Sequence, residues 1–107
     1  RRDAHTALDR LEHLLAEEDP HHAFAMVIRQ FRLLLRAREA IDSGQNPLQT
    51  LGVRPYVAGK VADQARNFRL SELERIYRRL MDIDLAEKSG NPQLEARLVG
   101  LIAAVAG

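Results

Sequence analysis

Cysteine and tryptophan are both missing from the 107 residues. The first absence removes a disulfide framework and any thiolate metal site, and it is compatible with a reducing cytosol. A charge excess is missing too: 16 Lys and Arg face 15 Asp and Glu, for a formal net charge of +1. The broad basic surface of most nucleic-acid binders is therefore excluded, and any DNA contact is expected to be local. No stretch approaches the roughly 20 apolar residues that cross a bilayer. Nor does a charged segment lead into an apolar run near Arg1, so neither a membrane span nor a secretory signal is expected. A Gly-rich phosphate loop, G-x-S-x-G and HExxH are all absent, which removes the commonest signatures of nucleotide, hydrolase and zinc-protease chemistry. The length fits one domain, 1–107, with a modest core. The chain starts at Arg1 inside a helical pattern, which reads as a piece of something longer.

What is present is helical periodicity almost throughout, with no alternating strand pattern. It predicts an all-α fold, a compact bundle of about five to six helices. Ala4, Ala7, Leu8, Leu11, Leu14 and Leu15 stripe a first helix over 1–18. Asp19 can cap the next helix and Pro20 can open it, because proline's fixed φ suits the first helical position. That helix, about 20–42, is apolar on two faces: Phe24, Val27, Ile28, Phe31, Leu34 and Leu35 on one, Met26, Leu33, Ala37 and Ala40 nearly opposite. Such a helix is expected at the centre of a bundle. Between its apolar faces Arg29, Arg32 and Arg36 form a candidate basic ridge.

Gly44 suits a left-handed position after this helix. Asn46-Pro47 opens a short helix through Leu51, Gly52 turns the chain, and Pro55 opens another with Val57, Val61 and Phe68 on one side. Ser71 and Glu74 match the Ser-x-x-Glu capping box of a helix that runs to about Ser89. Asn91 and Pro92 cap and begin the last helix, striped by Leu94, Leu98, Leu101, Ile102 and Val105. Val99, Ala103 and Ala104 add apolar surface, and no charge follows Arg97. Leu98, Leu101, Ile102 and Val105 are thus candidates for an interface with another subunit, with burial in the domain's own centre as the alternative.

The densest polar cluster, Asp82, Asp84, Glu87 and Lys88, does not converge on one face. At about 100° per residue Asp84 continues the stripe of Leu73, Tyr77 and Leu80, flanked by Ile76 and Ile83, whereas Asp82 points away. A carboxylate on an apolar face needs a partner, and Lys88, one turn on, is placed for an ion pair with it. No second titrating group or cleft is indicated, so Asp84 is read as structural and no catalytic residue is assigned. His5, His13, His21 and His22 lack the one-turn spacing of a zinc pair, and no metal or cofactor is expected. The 47–69 region offers an alternative reading as a helix-turn-helix-like nucleic-acid-binding domain, with Arg54, Lys60, Arg66 and Arg69 on phosphates. Its helix centre, "VAGKVADQA", is poor in side chains that reach base edges, and Gly59 there suggests close packing instead.

Two long segments, "FRLLLRAREAIDSG" and "LGVRPYVAGKVADQARNFRLSELERIYRRLMDIDLAEKSG", resemble the C-terminal domain of the bacterial DNA polymerase III delta subunit. The most specific pieces are Gln30-Phe31-Arg32-Leu33-Leu34, Pro55-Tyr56-Val57, Gln64-Ala65-Arg66, Asp84-Leu85-Ala86 and Lys88-Ser89-Gly90. The chain departs from the family at Glu87, where an apolar residue is more common, and at Arg54. The resemblance implies a clamp-loader C-terminal oligomerisation domain that joins a pentameric collar with the delta prime and gamma or tau subunits. It implies that 1–18 connects to an ATPase-like domain and that the sliding clamp is gripped by a further N-terminal module. It also implies a bacterial cytoplasmic protein that is a component of the DNA-directed DNA polymerase holoenzyme, without catalysis in these residues.

Overall fold

The structure, a computed structural model, describes Asp9, residues 19–90 and residues 92–106, with side chains as far as Ala104. The helix expected over 1–18 and the cap expected at Asn91 lie outside these residues, as does the side chain of Val105. Five helices follow in order: α1 (Pro20–Asp42), α2 (Pro47–Thr50), α3 (Pro55–Ala65), α4 (Leu70–Lys88) and α5 (Leu94–Ala106). No strand occurs among the described residues, and the fold is all-α.

Local chemistry sets most of the boundaries. Proline opens α1, α2 and α3, where its missing N–H would have no intrahelical partner in any case. The Asp19 carboxylate accepts the His21 N–H at 3.3 Å, and the Asn46 side chain accepts the Leu48 N–H at 3.0 Å, so each cap satisfies an orphan donor. At the end of α1, Gly44 adopts φ +75°, and the Gln45 N–H folds back to the Ala40 carbonyl at 2.8 Å. A side chain would be strained at that φ, which is why glycine stands there.

The start of α4 differs from the expected capping box. Ser71 and Glu74 are both inside the helix; its cap is Arg69, extended at φ −82° and ψ 150°, whose N–H is accepted by Glu72 Oε1 at 2.8 Å. The cause is tertiary. Phe68 is buried edge-on against Phe31, with centroids 6.3 Å apart and planes at 76°. The chain is thereby anchored just before Arg69 and re-enters the helix ahead of Ser71.

The two-faced α1 is central and touches each of the other four helices. Phe24, Val27, Phe31 and Leu34 are buried on one side, and Leu33, Ala37 and Ala40 on the other. Met26, read as part of the second face, is 43% exposed. Around α1 pack Ala58, Val61, Ala62 and Ala65 of α3, and Leu73, Ile76, Leu80 and Ile83 of α4. Leu94, Leu98 and Leu101 of α5 complete the core. Each large aliphatic side chain removed from water contributes about 1.5–3 kcal/mol before chain entropy is charged against it.

Two expectations about surfaces are corrected here. Leu98 and Leu101 are 0% and 2% exposed, and Ile102 is half-buried against the same core, so these positions face inward rather than forming an open interface. They share a helical stripe with Leu94, and α5 lays that stripe on α4 and α1. The outward side of α5 instead carries Ala96, Val99, Gly100, Ala103 and Ala104. At Gly59 the expected close packing is absent: a Cβ there would meet nothing within 4 Å.

Candidate functional site

The polar residues of α4 separate as the helix geometry requires. Lys88 Nζ donates to Asp84 Oδ2 at 2.9 Å, with the two side chains 73% and 30% exposed, while Asp82 is exposed. A pair this open contributes at most about 0.5 kcal/mol. It tethers a half-buried carboxylate at the flank of the core stripe.

Glu87 is the polar residue whose place the sequence did not reveal. Its side chain is only 9% exposed. Oε2 accepts hydrogen bonds from Arg97 Nη1 and, at 2.9 Å, from the Gln93 N–H, whereas Oε1 has no hydrogen-bond partner. With Pro20, His21, Pro92 and Gln93 it lines an open cleft of about 450 Å³ where α4 meets α5. The partners come from across a turn, ten residues away in the case of Arg97, and no single-helix periodicity predicts such a pairing. The cleft brings together no nucleophile with a base. Among the described residues no three His, Asp or Glu side chains converge as a metal site would need. His21 and His22 are exposed, and His5 and His13 lie outside the described residues.

The basic ridge is largely tied to its own fold. Arg32 Nε donates to the Tyr77 hydroxyl at 3.0 Å, and its guanidinium lies 6.0 Å from that ring's centroid. Arg36 Nη2 donates to the Thr50 carbonyl at 3.0 Å. These bonds fasten α1 to α4 and to α2 respectively. Arg29 is exposed and remains outside this bracing.

The 47–69 region does not build a helix-turn-helix. Its first helix, α2, is a single turn of four residues, too short to support a recognition helix across a DNA backbone. Polar side chains in and just after α3 that could address bases are engaged with neighbours on the domain's own surface. Gln64 Oε1 accepts from Gln30 Nε2 at 2.8 Å, and Asp63 pairs with Arg66 at 2.9 Å. Arg54 and Arg69 are exposed, and Lys60 stands over the Tyr56 ring.

The exposed apolar face of α5 remains. Val99 is 61% exposed, Ala96, Gly100 and Ala103 share its side, exposed Glu95 stands one turn before it at the edge of the face, and Arg97 is the last charged residue of the helix. Small side chains let another backbone approach closely, and the absence of charge beyond Arg97 limits the desolvation cost that ordinarily keeps such a face in water.

The sequence matches the model of a family described as DNA polymerase III delta subunit, C-terminal domain, over residues 1–103. No curated protein and no solved structure matches the chain.

Proposed function

Because the chain belongs to the family formed by the C-terminal domain of the DNA polymerase III delta subunit, and so to the clamp-loader machinery of DNA replication, we propose that it is the assembly module joining delta to the pentameric collar. Its neighbours in that collar are the delta prime and gamma or tau subunits of the bacterial cytoplasm. Residues 1–107 act as one domain, with 1–18 as the connection to an ATPase-like domain. Contact with the sliding clamp belongs to a separate N-terminal module, and clamp opening needs that module as well.

The observation that carries this reading is the outward face of α5: Ala96, Val99, Gly100, Ala103 and Ala104, apolar, small and turned to solvent. It differs from the interface first expected, because Leu98 and Leu101 serve the domain's own core.

The test is a charge placed where it cannot disturb the core. Val99→Glu in full-length delta is expected to keep its thermal unfolding midpoint, as surface changes generally shift stability by less than about 0.5 kcal/mol. Its association with delta prime and gamma, followed by native mass spectrometry, is expected to fall at least about tenfold, a loss of about 1.4 kcal/mol. The unsubstituted association is expected to vary little with salt, since the only charge bordering the face among the described residues of the helix's outward side is Glu95. Full assembly by the Val99→Glu protein overturns the assignment of this face.

A further inference from the structure

We draw no further inference here: the strongest candidate, the open cleft where α4 meets α5, carries none, because the Glu87 Oε1 atom that lacks a hydrogen-bond partner is sealed from solvent, Oε2 is already bonded to Arg97 and Gln93, and nothing in the structure shows what would fill the cleft.

Discussion

A carboxylate as enclosed as that of Glu87 is costly unless its oxygens are bonded, and here the Arg97 guanidinium and the Gln93 N–H meet one oxygen only. Removing Arg97 would strand the charge. Arg97→Ala is therefore expected to lower stability by about 2–4 kcal/mol, more than Glu87→Leu, which removes the charge together with its need for a partner. Urea denaturation of the two variants checks the order. The same pair accounts for the departure at Glu87 from the apolar residue that the family resemblance suggests: the arginine arriving from α5 makes an acid tolerable at an inward position. A second residue-scale effect concerns pH. The hydrogen bond from Arg38, helped by its charge and opposed by partial burial, holds Asp42 below the ordinary carboxylate value near 3.8. With the folded value the lower one, Asp42 contributes stability that is complete above the unfolded value and lost as pH falls through the folded one. Asp42→Asn is expected to lower the thermal midpoint slightly at neutral pH, where the carboxylate's contribution is complete, and to flatten the acid limb of the midpoint profile below about pH 4, where the two proteins converge.

At the scale of elements, what could be read from the sequence was what is local. Pro20, Pro47 and Pro55 each open a helix, and Asp19 and Asn46 each cap one, because a cap needs only its own first turn. Asn46→Ala is expected to cost about 1 kcal/mol, since α2 has only one turn over which to distribute the loss; thermal denaturation measures it. The start of α4 was misplaced because Phe68 on Phe31 decides it, a contact between distant parts of the chain. The apolar wealth of α5 was legible as well, but not which side lies inward. That choice belongs to the crossing of α5 over α4 and α1, so Leu98 and Leu101 went to the core and Val99 stayed in water. Gly59 was read as a packing device because a glycine inside a helix ordinarily has one; the open space beside it appears only in three dimensions.

For the whole molecule, the two apolar faces of α1 were sufficient to place it at the centre and to identify a helical bundle. The candidate site was harder, since its pieces are surfaces left over once the core is satisfied, and a leftover surface has no periodicity of its own. Centrality has a consequence for motion. Each of the other four described helices rests on α1, so its middle amides, from about Phe31 to Leu34, are expected to trade hydrogen for deuterium only through global unfolding. Those of α5, docked at the periphery on α4 and α1, are expected to trade sooner, through a partial opening that frees the last helix while the rest stays folded. Mass spectrometry of exchanged, digested protein reads the two rates apart, and equal rates would mean that the bundle opens only as one unit.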